Sequence, residues 1–266
     1  MNSSSPDRIR ERYLDLMVKT LANVIYGDPP LYQDATTADH PRPALPYDEH
    51  VRRVGRDWPS QAHTMIGIAR LNNLRELTTR ALREGVPGHF IETGVWRGGG
   101  CILMKAVVEA FNASGRRVYV ADSFQGLPPA RPDLYPADQM YVGLMPDQLR
   151  VSADEVRAHF AAYDLLDDDV IFLEGLFQVT LPKLQESAFA LIRLDGDMYE
   201  STIVALAALY PKVSPGGFII IDDYGAIPAC RAAVNDFRSE HSVRDPMHEI
   251  DWTGVWWQKP LQMSAP

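Results

Sequence analysis

Apolar and polar positions alternate along this chain with two different periods, and the change from one to the other divides it. From residue 8 to residue 24, Ile9, Tyr13, Leu14, Leu16, Met17, Leu21 and Val24 recur at helical spacing, which predicts an amphipathic helix. Residues 1–6 before it are expected to be disordered. Residues 27–47 are rich in Pro, Asp and Thr and carry no periodicity, as expected of a loop or a lid. Short helical patterns return at 49–54 and again from Ala62-His63-Thr64-Met65-Ile66-Gly67 to about residue 84. From Gly88 onward short apolar runs alternate with helical patterns. Strands are expected at 89–92, 118–121, 170–173, 189–194 and 218–221. Helices are expected at 99–111, 152–163, 180–185, 201–210 and 228–240. Ser152-Ala153-Asp154-Glu155 opens one of them as a capping box, and Pro228 opens another. Residues 128–150 read as a long loop beside the site. Residues 248–250 and 255–258 read as a terminal hairpin. Strand–helix alternation of this kind predicts an α/β fold on a parallel sheet, with residues 1–87 as a helical extension and lid and residues 88–266 as the core of one structural domain.

Composition changes this picture little. The 266 residues suffice for one large α/β domain with additions. A net charge of −9 disfavours nucleic acid and anionic membrane surfaces as partners. Two cysteines, Cys101 and Cys230, lie far apart in predicted helices and form neither a zinc nor a disulfide framework. The polar N-terminus has no signal-peptide pattern and no apolar run approaches a membrane span, so a cytoplasmic protein is expected.

The candidate chemistry sits where apolar runs stop. One run ends in Asp195-Gly196-Asp197 and another in Asp222-Asp223-Tyr224. Ligands collect outside the carboxyl ends of strands in open α/β sheets. If the two strands are neighbours, four acids converge, and something positive is needed among them. A hard divalent cation such as Mg²⁺ suits oxygen ligands. The plainer reading is that Asp197 and Asp223 cap the helices that follow. The first core strand ends in Glu92-Thr93-Gly94-Val95-Trp96-Arg97-Gly98-Gly99-Gly100, a tight glycine turn without the G-x-G-x-x-G spacing. Glu92 disfavours an anionic pyrophosphate and suits an amino-acid ammonium. The second strand ends in Asp122-Ser123-Phe124-Gln125-Gly126, where an acid typically holds ribose hydroxyls. An acid for an amine and an acid for a ribose, with no phosphate clamp, describe S-adenosylmethionine. The alternative is a tight turn and a helix cap alone. After the third strand come Gly175, Leu176 and Phe177; Phe177 reads equally as an adenine-stacking ring or as core. Ser152 is a further cofactor candidate beside its capping role. His63, His159 and His241 read as structural or surface histidines, and Trp252, Trp256 and Trp257 as core or subunit contacts.

These motifs resemble the macrocin O-methyltransferase family of macrolide and aminocoumarin deoxysugar O-methyltransferases. The likeness runs through the 92–99, 121–126, 195–197 and 214–224 segments. It extends to Tyr13-Leu14-Asp15-Leu16, Ala62 to Gly67, Arg70-Leu71-Asn72-Asn73-Leu74 and Ile227-Pro228-Ala229-Cys230-Arg231, and so covers nearly the whole chain. The resemblance implies a seven-stranded class I methyltransferase fold with helices on both faces, S-adenosylmethionine and Mg²⁺. It implies that Asp195, Asp222 and Asp223 hold the metal, that Asp197 is the base, and that Thr64 and Met65 approach cofactor and substrate under an N-terminal lid. A homodimer or larger assembly is also implied. The lid at 28–56 and the loop at 128–151 depart from the family pattern, and they are where the acceptor, a glycoside or a nucleotide sugar, would be chosen.

Three other functions are weighed against this one. Catechol and phenol O-methyltransferases resemble the metal site but carry a lysine where this chain has Met198. An NAD-dependent oxidoreductase conflicts with Glu92 and with the absent dinucleotide glycine motif. A non-catalytic binding protein conflicts with four intact carboxylates at strand ends.

Overall fold

A computed structural model describes residues 5–31, 45–144, 146–186 and 188–261. Residues 32–44 of the expected lid and residues 1–4 of the segment expected to be disordered lie outside the described residues. Ser5 and Pro6 belong instead to the first helix, α1 (Ser5–Leu21). The two helices that follow are α2 (Glu49–Arg53) and α3 (Gly67–Arg83). The alternating half then supplies β1 (His89–Thr93), α4 (Gly99–Ala110), β2 (Val118–Asp122), α5 (Ala153–Ala162), β3 (Val170–Glu174), α6 (Phe177–Thr180), β4 (Phe189–Leu194), α7 (Tyr199–Leu209), β5 (Val213–Ile221), α8 (Pro228–Glu240), β6 (His248–Glu249) and β7 (Val255–Gln258).

The seven strands form one sheet in the order β3-β2-β1-β4-β5-β7-β6. The first five run parallel, and β7 and β6 close the edge antiparallel. Successive residues of a strand point to opposite faces, and two cores result. Phe90, Val118, Val120, Phe218 and Ile220 pack against α1, α3, α4 and α5. Ile91, Tyr119, Ala121, Ile219 and Ile221 pack against α7 and α8. The extension shares the first core, since Leu14, Leu21, Leu71, Leu74 and Leu77 are all buried in it.

Two elements differ from the sequence expectation. β5 begins at Val213, before the Ser214-Pro215-Gly216-Gly217 breakers, because Gly216 and Gly217 exchange backbone hydrogen bonds with Lys259. A register shift between Phe189 and Leu191 on β4 absorbs the extra residues. The helix expected at 180–185 forms one turn earlier as α6 and tightens into a 3₁₀ turn at Leu181–Lys183, where Pro182 removes a donor. The loop at 128–150 is partly ordered by 3₁₀ turns at Pro136–Tyr141 and Asp147–Leu149. No helix among the described residues is long and apolar enough to cross a membrane.

Candidate active site

The strand order reverses between β1 and β4, the position at which crossovers to the two faces diverge and leave a crevice. A cavity of about 690 Å³ opens there at the carboxyl ends of the strands. The backbone ladder runs on past the strand ends: the Asp195 amide donates to the Thr93 carbonyl at 2.8 Å and the Asp222 amide to the Leu194 carbonyl at 2.9 Å. This holds the acid-bearing tips of β4 and β5 side by side.

One half of the cavity is built on β1 and β2. Gly94 has φ +82°, and a Cβ there would lie 1.7 Å from the Asp195 carbonyl oxygen. Only glycine fits a turn pressed this closely on the next strand. Asp122 accepts from the amides of Val95 and Phe124 at 2.8 Å each, so its carboxylate shapes the turn. A carboxylate has about four acceptor positions, which leaves capacity for ribose hydroxyls. Burial pushes the Asp122 carboxyl above its ordinary range, against the pull of these amides. Thr64 and Met65 reach the cavity because the Gly99 amide, at the start of α4, donates to the His63 carbonyl. Thr64, Met65, Glu92, Gly94, Asp122, Ser123, Gly126, Leu176 and Phe177 all line the cavity, as do Asp195, Asp197, Asp222 and Asp223.

Five expected cofactor residues do not line it. The Arg97 guanidinium donates to the carbonyls of Pro59 and Ala62 and lies over the Trp96 ring. Ser152 is used as the α5 cap, accepting from the Glu155 amide. Gln125 is exposed, Thr93 is buried under the turn, and Gly175 supports the floor through its amide on the Asp122 carbonyl. Glu92 lines the wall but is 2% exposed, and it accepts from Arg193 and from the Cys101 thiol. Its carboxylate is therefore paired in part inside the fold while it faces the cavity. Burial still raises its pKa.

The other half holds the acids. Asp195, Asp222 and Asp223 each place a carboxylate oxygen within 4.8 Å of the others. The positive charge that the sequence argument required is already present in part, as two arginines. Arg193 lies opposite Glu92 in the β1–β4 register and donates to Glu92, to Asp195 at 2.9 Å and to Asp222. Arg70 reaches from α3 to Asp222, and to Asp251 at 3.1 Å. These two guanidinium groups do not balance the cluster. Burial first, and then Asp222, pushes Asp195 up to about 8, with Arg193 opposing. Burial and Asp222 push Asp197 up to about 6. Asp223 is driven well above the carboxylate range by burial and by Asp197, Asp195 and Asp222. Asp223 Oδ2 is moreover buried with no hydrogen-bond partner. An orphaned buried carboxylate oxygen beside two further carboxylates is a donor set that suits a hard divalent cation.

Asp197 does not sit on an extended chain beside Asp195, as strand alternation would have it. β4 ends at Leu194, the Met198 amide folds back to the Gly196 carbonyl, and Asp197 takes φ +56°. The turn still aims its carboxylate into the cavity, where no group among the described residues donates to it. Nor do Asp197 and Asp223 act as side-chain caps: α7 is capped by Asp138, which accepts from the amides of Tyr199 and Glu200.

Several residues in and behind the cavity were missed in the sequence. Tyr141 is 6% exposed, and burial together with Asp197 and Asp223 pushes its phenol up. Trp252 is 41% exposed and lines the cavity instead of joining the core, whereas Trp257 is fully buried. Arg193 carried a local signal, a charge inside an apolar run. Arg70 and Tyr141 carried none. His63 and His159 are structural as expected, with rings stacked 4.2 Å apart.

The chain matches the Macrocin-O-methyltransferase (TylF) family over residues 10–259. It is 50% identical over 250 residues to the 8-demethyl-8-(2,3-dimethoxy-alpha-L-rhamnosyl)-tetracenomycin-C 4'-O-methyltransferase of Streptomyces olivaceus, covering 94% of this chain and 93% of the relative. It is 47% identical over 248 residues to the demethyldecarbamoylnovobiocin O-methyltransferase of Streptomyces niveus, covering 93% of each. Its fold superposes on the solved O-methyltransferase NovP with a TM-score of 0.87 at 45% identity, over 94% of this chain and 99% of that one. The protein therefore belongs to the macrocin O-methyltransferase family, as a methyltransferase on the class I fold that serves S-adenosylmethionine.

Proposed function

We propose that this enzyme methylates a hydroxyl of a deoxysugar carried by a natural product, in antibiotic tailoring, with a divalent cation such as Mg²⁺ held by Asp195, Asp222 and Asp223. The observation that carries the reading is the single cavity. The turn at Gly94 and Asp122 lies on one side of it, and three carboxylates within 4.8 Å of one another lie on the other. The acceptor class follows the Streptomyces olivaceus relative, whose name specifies a rhamnosyl group.

A sugar hydroxyl is a poor nucleophile because it holds its proton far above neutral pH. The cation would supply a Lewis acid that lowers this barrier, and S-adenosylmethionine an electrophilic methyl group. The chain does the rest. Asp122 and the Gly94 turn hold the cofactor half, and Met65 and Thr64 cover it from the extension. Asp197, whose carboxylate is free of internal donors, accepts the acceptor proton as the methyl group transfers. Holding both reactants in one cavity removes most of the entropic cost of bringing them together. The phenol-type alternative loses support at Met198. That side chain is fully buried beside Tyr141 and Ala229, and no lysine stands in its place. The family resemblance also supports a homodimer or larger assembly, which light scattering would read as a multiple of the chain mass.

The test is a mass-spectrometric methyl-transfer assay over deoxysugar glycosides, nucleotide deoxysugars and catechols, with Mg²⁺ and with excess EDTA. A gain of one methylene on a sugar, lost in EDTA, is expected. A gain on catechols alone would overturn the sugar acceptor, and a sugar product that survives EDTA would remove the cation from the chemistry.

A further inference from the structure

The carboxylate cluster is not evenly available. Asp222 is 3% exposed and engaged on both oxygens, with Arg193 on Oδ1 and Arg70 on Oδ2. Asp195 gives one oxygen to Arg193. Asp223 gives Oδ2 to nothing. Arg193 belongs to the sheet itself and pairs with Glu92 across the register. Arg70 has a different origin. It comes from α3 in the N-terminal extension, is 6% exposed, and bridges Asp222 to Asp251 while touching the Gly55 carbonyl at 3.3 Å.

Resting on the divalent-cation reading above, we infer that Arg70 is an internal counter-charge that competes with the bound cation for Asp222 and sets how tightly the cluster holds it. The argument is electrostatic. A guanidinium bonded to a ligand carboxylate withdraws electron density from that oxygen and repels a dication bound beside it. A neutral residue at position 70 would leave Asp222 Oδ2 fully available. The hold on the cation would tighten and its Lewis acidity would fall, because a more negative cluster quenches the metal's charge. Asp251 opposes Arg70 from its other side. Because Asp251 draws part of the guanidinium's charge, it moderates the competition for Asp222. Arg70 is thus a positioning residue, acting on the reaction through Asp222. The arrangement also ties the extension to the metal, since the strength of the hold depends on a side chain delivered by α3.

The test uses Mn²⁺ alone, titrated into the full chain and followed by loss of the free-ion electron paramagnetic resonance signal. Mn²⁺ takes the same oxygen ligands as Mg²⁺. Asp223→Asn should abolish the signal loss and so locate the site. Arg70→Met should bind Mn²⁺ about tenfold more tightly, the effect of one unit charge on a dication even under water-like screening. Arg70→Lys, which keeps the charge, should stay near the wild type. Asp251→Asn, which leaves Arg70 to Asp222, should bind more weakly and provides the opposite sign in a second fold background. A purely structural arginine would instead loosen the cluster when removed. Weaker or unchanged binding in Arg70→Met would overturn the inference, and, if that variant does not fold, unchanged or tighter binding in Asp251→Asn would do so. A wild type that takes up no Mn²⁺ would reject the cation reading itself, a result separate from both.

Discussion

A side chain at position 94 has no room beneath the Asp195 carbonyl, whereas Asp197 stands beside open cavity with no internal donor. The first is a structural demand and the second a chemical opportunity. Both were legible, because glycine after a strand and acids at the end of an apolar run are local signals. Asp195, Asp222 and Asp223 were legible for the same reason. What the residues meet across the fold was not: Arg70 bonds an acid 152 positions away, and nothing in its own helix marks that reach. The partner of Glu92 was not legible either, since Arg193 is set opposite it by strand register rather than by sequence spacing. At this scale the proposed base has a direct test. Asp197→Asn should lower turnover by at least about a hundredfold, the usual worth of a general base. Calorimetry should show S-adenosylhomocysteine affinity nearly unchanged. Near-normal turnover would remove Asp197 from its role.

Among the elements, the extension is held to the core by buried polar groups as well as by leucines. Arg52 on α2 is 1% exposed and donates to Asp28, Asp57 and the Ala22 carbonyl. Its two carboxylates fare differently. Burial raises both, but on Asp28 the hydrogen bonds from Arg52, the Gln61 amide and Asn23 outweigh it and hold the carboxyl at about 2, while Asp57 stays above its ordinary value. Arg52→Met would strand Asp57 and remove the counter-charge of Asp28, and should lower stability by about 3–5 kcal/mol in urea unfolding; a change within about 0.5 kcal/mol would show the hub to be dispensable. A second contact joins the extension to α5, where His63 stacks on His159 and meets the Tyr163 hydroxyl at 3.0 Å. Burial, then the charges of His159 and Arg97, hold His63 down at about 4. A histidine with a folded pKa below its unfolded 6.5 takes up its proton preferentially in the unfolded chain. Its stabilisation is complete above about pH 6.5 and is lost as pH falls toward 4. The melting temperature of His63→Gln should therefore fall less than the wild type's between pH 7 and pH 5, and parallel curves would contradict this. Helices and strands of the alternating half were legible from their periods. The early start of β5 was not, because Pro215 and two glycines read as a stop while Lys259, from the far end of the chain, supplies the missing ladder bonds.

For the whole molecule, the function depends on where the sheet changes direction. β1 lies between β2 and β4, so the turn at Gly94 and the acids after Leu194 face each other across one crevice. The sequence predicted strands whose ends carry chemistry, but not their lateral order, since that order is decided by which faces the crossover helices bury. Trp252 was invisible for that reason, and Tyr141 was legible only as part of a loop expected beside the site: they reach the crevice from that loop and from the β6–β7 hairpin, which the folded sheet brings to the same rim. The central claim is that this one crevice seats the methyl donor and a divalent cation together. It is tested most directly by a crystal structure with S-adenosylhomocysteine and Mn²⁺, phased to show manganese by its anomalous signal. The account predicts a manganese peak among the carboxylates of Asp195, Asp222 and Asp223, with the cofactor product on the Gly94–Asp122 side of the same cavity. Manganese elsewhere, or a cofactor seated away from that turn, would contradict it.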